Sequence, residues 1–191
     1  MPAGGVLLFR DEMEIHRHPT LTRVWAPVGE RPEVPAPGKN EKKVVYGAVD
    51  YVTGKPTYTA ADKKCGPEFI AFLAFVLKKY ARSKRRIRMV CDNGRFHTSK
   101  AVLAYLEANK DGLEVYWPPP YCPDLNLIER LWGHLKRTVL ANVLYRDLAD
   151  LVWAFRVGTH RATVKRERMG FMFKHDDLHK EIAKGDKGPA A

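Results

Sequence analysis

The chain has 191 residues, of which 45% are hydrophobic and 29% are charged, and its formal net charge is +11. This composition fits one folded domain with an apolar core and excludes wholesale disorder. No apolar run approaches the roughly 20 residues of a membrane-spanning helix, the N-terminus has no secretory signal, and the three cysteines are too scattered for a disulfide framework. We therefore expect a cytoplasmic protein without membrane association, whose positive charge serves an anionic partner, with nucleic acid the best candidate.

The first half of the sequence predicts three strands followed by a helix. An apolar run at 6–9 indicates a buried strand that ends at 10–12. The stretches 43–52 and 56–60 flank Thr53-Gly54-Lys55, a pattern typical of a β-hairpin. Apolar residues recur at helical spacing after Gly66-Pro67-Glu68, which predicts a helix that reaches Tyr80.

The second half alternates strands with helices. Residues 87–91 and 113–117 have the pattern of strands, and a helix follows Thr98-Ser99. A further helix over 125–139 has Asp124 or Asn126 as its cap, and a last one lies near 147–167. Three antiparallel strands followed by alternating helices and strands predict an α/β fold with a mixed five-stranded sheet flanked by helices. We assign residues 1–170 to one domain and expect the basic tail, 171–191, to be partly disordered.

Basic residues crowd into segments that could follow a phosphate backbone. The alternative is that these runs are solvated helix faces. The residues to which we assign DNA contacts are Lys78, Lys79, Arg82, Lys84, Arg85, Arg86, Lys136, Arg137, Arg161, Lys165 and Arg166.

Three acidic residues are candidates for a metal site at the edge where such sheets collect their active sites. Asp11 follows the first strand, Asp92 follows a later one, and Glu129 lies early in a helix. Converging carboxylates repel one another unless cations neutralise them, and oxygen ligands suit Mg²⁺ or Mn²⁺. Two such ions can activate an attacking oxygen and stabilise a leaving oxygen in phosphodiester chemistry. Taken singly, each acid is also typical of a turn or a helix start, and we interpret Asp50, beside the hairpin, as structural.

The motifs around these acids are more specific than the acids themselves. The segments Val90-Cys91-Asp92-Asn93-Gly94-Arg95-Phe96-His97 and Tyr121-Cys122-Pro123-Asp124-Leu125-Asn126-Leu127-Ile128-Glu129 resemble the two signatures of mariner-like DDE transposases, particularly the bacterial insertion-sequence branch. Phe9-Arg10-Asp11-Glu12, followed by Trp25-Ala26-Pro27-Val28-Gly29, resembles that branch's first-acid segment. The sequence departs from the family pattern at Leu127, where Pro is usual, and at Cys122, where Ser is common.

This resemblance implies an RNase H-like fold in which Asp11, Asp92 and Glu129 are the catalytic and metal-binding triad for two Mg²⁺ or Mn²⁺ ions. It implies cleavage at transposon ends, strand transfer into target DNA, and a homodimer on DNA associated with the bacterial nucleoid. It also implies supporting roles near the metal site for Asn93, His97 and Asn126. The alternative for His97 is a satisfied or merely exposed histidine.

Family members usually have an N-terminal helix-turn-helix module, whereas the first strand here begins within ten residues of the start. We expect that module to be absent and to be supplied by a separate chain or an upstream-frame product. Two alternatives stay open: an inactive or partial transposase that acts only as a DNA-binding or assembly subunit, and a generic RNase H-like nuclease that cuts without joining. We expect Trp117, Trp132 and Trp153 to belong to the core.

Overall fold

The computed structural model describes residues 5–83, 85–92, 94–117 and 126–164. The strands in these ranges are β1 (Val6–His16), β2 (Lys42–Asp50), β3 (Pro56–Ala61), β4 (Ile87–Val90) and β5 (Leu113–Tyr116). The α-helices are α1 (Gly66–Tyr80), α2 (Lys100–Ala108), α3 (Ile128–Leu135) and α4 (Leu148–Val164), and a π-helical turn, Lys136–Leu140, follows α3 directly.

The strands form one mixed sheet in the order β3-β2-β1-β4-β5, which confirms the expected five-stranded α/β arrangement. β1, β2 and β3 pair antiparallel, whereas β4 and β5 run parallel to β1. We call the edge where β4 and β5 end the carboxyl edge, and the edge where they begin the amino edge. The turn between β2 and β3 lies at the amino edge, because Tyr51 donates its backbone N–H to the carbonyl oxygen of Leu7 near the start of β1.

β1 is longer than its apolar pattern predicted. The prediction that this strand ends at 10–12 was wrong, because β2 continues to pair with β1 as far as the match of His16 with Lys42. The ladder with β4 stops earlier, at Phe9 and Val90. Asp11 therefore lies inside β1 and not after it.

The sheet is covered by helices on both faces, with a separate apolar core under each. One core packs α1 and α2 against the sheet, with Leu8, Phe69, Phe72, Met89 and Val102 among its buried members. The other packs α3 and α4 against it, with Phe9, Met13, Ile128, Trp132 and Phe155. The prediction that Trp153 is a core residue was wrong, since its side chain on α4 is 59% exposed. None of the helices in the described ranges is long and apolar enough to cross a bilayer.

A close contact between Trp132 and Gly47 sets the height of α3 above the sheet. Gly47 lies opposite Asp11 in the ladder between β1 and β2. A Cβ atom at Gly47 would lie 2.5 Å from atoms of the Trp132 indole, far inside contact distance. Only glycine therefore allows this indole to approach the strand so closely, and the contact holds α3 beside the strand pair that contains Asp11.

We expect Gly47→Ala to lower the free energy of unfolding by about 1–3 kcal/mol, because the added methyl group must displace the buried indole. Urea denaturation of the purified chain measures this change. The matched control is Gly38→Ala, since no atom lies within 4 Å of the position a Cβ would take there. Equal denaturation midpoints for the two variants would show that the Gly47 contact is not close-packed.

Candidate active site

Asp11 and Asp92 lie at corresponding positions beyond the end of the same parallel ladder. That ladder, between β1 and β4, ends with the pair Phe9 and Val90; Asp11 lies two residues further along β1, and Asp92 lies two residues after the end of β4. Because neighbouring strands are about 4.8 Å apart, the two acids meet at the carboxyl edge. Residues two apart on a strand share a face of the sheet. Phe9 and Met13, two residues before and after Asp11, belong to the core under α3, so the Asp11 side chain points to the α3 side.

Helix α3 brings the third acid to the same place. Glu129 lies in the first turn of α3 and is exposed. Asn126, just before the helix, donates a hydrogen bond from Nδ2 to the carbonyl oxygen of Arg10 at 3.0 Å. Of the two predicted caps, Asp124 lies outside the described residues, and Asn126 does not cap the helix, since α3 begins at Ile128 and the Asn126 amide binds β1 instead. This hydrogen bond ties the start of α3 to the strand that carries Asp11.

The three acids influence one another electrostatically. The pKa of Asp11 is raised from 3.8 to about 6, chiefly by burial and then by the carboxylate of Asp92. Glu129 raises this pKa further, while Arg10 and Lys64 oppose the increase. Burial, reinforced by the two neighbouring carboxylates, therefore lets Asp11 retain a proton up to mildly acidic pH.

A second group of charges lies buried on the other face of β1. Arg10 and Glu12 form an ion pair in which the two side chains are 0% and 1% exposed. His97, in the 3₁₀ turn Arg95–Thr98, is also fully buried and joins this pair. Its Nε2 lies 2.9 Å from Oε1 of Glu12 and 2.6 Å from Nη1 of Arg10. His97 is thus not a merely exposed histidine.

His97 and Arg10 connect this buried group to Asp92. The Nδ1 atom of His97 lies 3.0 Å from the main-chain oxygen of Asp92 and 3.1 Å from its Oδ1, and Arg10 Nη1 lies 3.4 Å from the same Oδ1. Because Nδ1 faces oxygen acceptors in both contacts, it donates its hydrogen there. Burial acts to raise the pKa of Asp92, but the hydrogen bond from His97 and the nearby positive charge outweigh it and lower the pKa. Asp92 is therefore ionised at pH values where Asp11 is partly protonated.

Two sets of side chains could hold a cation here. Glu12, Asp92 and His97 offer ligand atoms that all lie within 4.8 Å of one another, but they already surround the guanidinium of Arg10. The other set is Asp11, Asp92 and Glu129, which is not gathered to within that distance, but whose carboxylates add to burial in raising the pKa of Asp11. A divalent cation would relieve this repulsion, and carboxylate oxygens are the ligands that Mg²⁺ and Mn²⁺ prefer. The chemistry of the three acids therefore suits such an ion, whereas the set that contains Glu12 is already occupied by a guanidinium.

The structure places the cluster of basic residues around the end of α1 away from the acids. Lys78 and Lys79 lie in the last turn of α1, Arg82 lies in the 3₁₀ turn that follows, and Arg85 and Arg86 precede β4. Asp92 lies six positions after the last of these along extended chain, which is about 20 Å. The cluster therefore lies at the amino edge, opposite the acids.

Other predicted contacts are spread over the α3 and α4 side. Lys136 and Arg137 are exposed in the π-helical turn after α3, and Arg161 is exposed on α4. Lys84, Asn93, Lys165, Arg166 and the tail 171–191 lie outside the described residues.

Sequence reasoning assigned no role to three residues that contribute to the site: Arg10, Glu12 and Lys64. Lys64 Nζ lies 3.4 Å from Oε2 of Glu12, and its charge lowers the pKa of both Asp11 and Asp92. Arg10 and Glu12 had a detectable signal, since alternating charges inside a buried strand face the same side and must find partners there. Lys64 had none, because its loop meets the site only in the folded chain.

We expect Asp11→Asn to stabilise the metal-free protein above pH 6 by on the order of 2 kcal/mol. The folded chain binds the Asp11 proton more tightly than the unfolded chain, whose pKa is near 3.8, so wild-type stability falls as pH rises from about 4 to 6. Asparagine does not titrate, and its advantage should disappear below pH 4. Thermal unfolding in EDTA across this range measures the effect. Glu14→Gln is the control that should instead lower stability at neutral pH, since Lys42 lowers the pKa of Glu14. A stability difference between Asp11→Asn and wild type that does not change with pH would contradict the prediction.

Comparisons with known proteins identify the family of this chain. Residues 6–152 match the family model described as DDE superfamily endonuclease. The insertion element IS630 uncharacterized 39 kDa protein of Shigella sonnei is 32% identical over 136 residues, which are 71% of this chain and 39% of that protein. The Tc3 transposase of Caenorhabditis elegans is 33% identical over 111 residues, which are 56% of this chain and 33% of that protein. The chain thus spans less than half the length of these curated relatives.

The fold resembles that of a solved transposase. The crystal structure of the mariner Mos1 paired-end complex with Mg superposes with a TM-score of 0.61 at 18% identity, covering 86% of this chain and 54% of that one. A likeness at this identity concerns the fold, and it confirms the expected RNase H-like architecture. With the family model matching most of its length, the chain belongs to the DDE superfamily endonuclease family.

Proposed function

We propose that this chain is the catalytic domain of a transposase, which uses divalent cations to cut DNA at the ends of an insertion sequence and to join the freed 3′ ends to target DNA. The observation that supports the proposal is the placement of Asp11 inside β1, of Asp92 just after β4 and of Glu129 at the start of α3, where the pKa of Asp11 is raised by burial and then by the other two carboxylates. Membership of the endonuclease family and the likeness to the Tc3 transposase support the same chemistry.

We propose that these three acids hold two Mg²⁺ or Mn²⁺ ions, a choice supported by the likeness to the Mos1 paired-end complex with Mg. Such ions, when bound, supply charge neutralisation and polarise the attacking and leaving oxygens of a phosphodiester. The contribution of the chain is to hold the three carboxylates in place. β1 and β4 fix two of them by register, and Trp132 and Asn126 fix the third through α3.

We expect Asp92→Asn and Glu129→Gln each to lower DNA cleavage by about 1000-fold or more, because losing a carboxylate ligand removes several kcal/mol of transition-state stabilisation. Cleavage of labelled DNA that carries the element's ends, in Mn²⁺, measures this. Asp62→Asn is the control, since its carboxylate is 76% exposed and pairs with Lys43 on β2. Unchanged cleavage by either site variant would remove that acid from the proposed site.

The same assay separates the proposed transposase from its alternatives. Joined products, with two copies of the chain on paired ends, support a transposase. Nicks without joining favour an RNase H-like nuclease, and DNA binding with neither product favours an assembly subunit.

We further propose that DNA contacts the amino edge. A groove of about 570 Å³ between β3 and α4 is lined by Lys55, Lys79 and Arg156, beside Tyr58 and the exposed Trp153. A neighbouring groove of about 550 Å³ contains Lys78, Arg85 and Arg86. Cations interleaved with aromatic side chains are the composition of a nucleic-acid surface.

This surface is too far from the acids to hold the phosphate that is cut. About 20 Å corresponds to roughly six base pairs of duplex. We therefore infer that the amino edge binds a segment of DNA beyond the cleavage position. Such contacts contribute affinity without sequence preference.

We expect Lys55→Ala combined with Arg156→Ala to weaken DNA binding and to reduce the slope of log K against log salt by about 1 for each lost phosphate contact. Cleavage at saturating DNA should be unchanged, because neither residue borders the acids. Binding isotherms at several salt concentrations measure this. The control, with the same loss of net charge, combines Lys42→Ala with Lys43→Ala, whose partners are Glu14 and Asp62. Equal salt slopes for the two double variants would contradict a specific role for the amino edge.

A further inference from the structure

Three polar side chains, Arg10, Glu12 and His97, form a buried cluster next to Asp92 of the proposed site. Arg10 and His97 are 0% exposed, and the Glu12 side chain is 1% exposed. Removing such groups from water costs free energy that an apolar replacement would not, so the cluster is weak as a source of stability. Its placement against Asp92 indicates what it does instead.

The ring of His97 is held in one orientation. Its edges contact charged groups on two sides, with Asp92 at Nδ1 and Glu12 and Arg10 at Nε2. Its faces lie among aromatic rings, with centroids of Phe96 at 3.9 Å and Phe69 at 4.7 Å. The imidazole therefore cannot turn without losing hydrogen bonds at both nitrogens.

Arg10 is held in the same way. Its guanidinium carbon lies 4.3 Å from the centroid of the Phe69 ring, and the charge pairs with Glu12. Nη1 is placed to donate either to His97 or, at longer range, to Oδ1 of Asp92. The cluster thus presents two donors, His97 Nδ1 and Arg10 Nη1, to a single oxygen of the Asp92 carboxylate.

We propose that Arg10, Glu12 and His97 are positioning residues that fix the orientation of the Asp92 carboxylate, and that Glu12 is not a cation ligand. Holding Oδ1 from the buried side turns the other oxygen toward Asp11 and Glu129, where a divalent ion would bind. Glu12 neutralises Arg10, which contacts Nε2 of His97, and this gives a second layer of contacts of the kind that supports metal ligands elsewhere. This inference rests on the proposed metal-dependent function.

The test uses two variants that preserve opposite edges of the imidazole. In His97→Asn the side-chain amide takes the place of Nδ1 and can still donate to Asp92, whereas in His97→Gln it takes the place of Nε2 and reaches Glu12. We expect the Gln variant to bind Mn²⁺ at least about tenfold more weakly than wild type, and the Asn variant to stay closer to wild type. Electron paramagnetic resonance titration of free Mn²⁺ on the DNA-free chain measures binding without requiring activity.

A stability control separates positioning from general damage. Val76→Ala removes buried methyl groups from the same core, at the far end of α1, and should lower stability while leaving Mn²⁺ affinity unchanged. Mn²⁺ affinities that are equal in wild type and both His97 variants, or that follow stability across all the variants, would overturn the inference. Absence of Mn²⁺ binding by wild type would instead overturn the proposed function on which the inference rests.

Glu12→Gln tests the remaining claim. A positioning role predicts the same number of bound Mn²⁺ ions as wild type with a lower affinity. The loss of one bound ion would identify Glu12 as a ligand and reject its assignment here.

Discussion

The pairing of β1 with two neighbours of different length is the constraint on which the rest of this structure depends. β4 accompanies β1 only as far as Phe9, whereas β2 accompanies it to His16. Asp11 is therefore held rigidly inside a ladder on one side and lies open to Asp92 on the other. An acid in a loop could move away from its neighbours, but an acid in a paired strand cannot, and the pKa of Asp11 is raised by its burial there and then by the Asp92 carboxylate.

The two faces of β1 give the two aspartates opposite environments. Asp11 points to the side of α3, where burial and other carboxylates favour its protonated form. Asp92 contacts Arg10 and His97, which belong to the other face, and their donors favour its ionised form. A sheet strand can do this because successive side chains alternate between faces. One short segment, Arg10-Asp11-Glu12, thus supplies an acid of the proposed site and the buried charges that support its neighbour.

Local sequence patterns were sufficient to predict the elements that form from neighbouring residues. The hairpin of β2 and β3 followed from Thr53-Gly54-Lys55, and Gly54 has the positive φ of 64° that such a turn requires. The helices followed from apolar spacing, and Glu129 lies at a helix start as its position predicted. The sequence pattern was misleading where contacts with other parts of the chain decide the length of a strand or the burial of a side chain. β1 continues through charged residues because β2 pairs with them, and Trp153 is exposed because no described element covers that face of α4.

By itself the sequence determined the order of strands and helices, the family, and which acids are candidates for the site, since these depend on residue types and their spacing along the chain. Only the tertiary structure decided that Gly47 lies under Trp132, that Arg10, Glu12 and His97 form one buried cluster against Asp92, and that the basic residues after α1 lie at the edge opposite the acids. The reason is that each of these features joins residues far apart in the chain. Such contacts are set by strand register and by the packing of helices on the sheet, which no local pattern records.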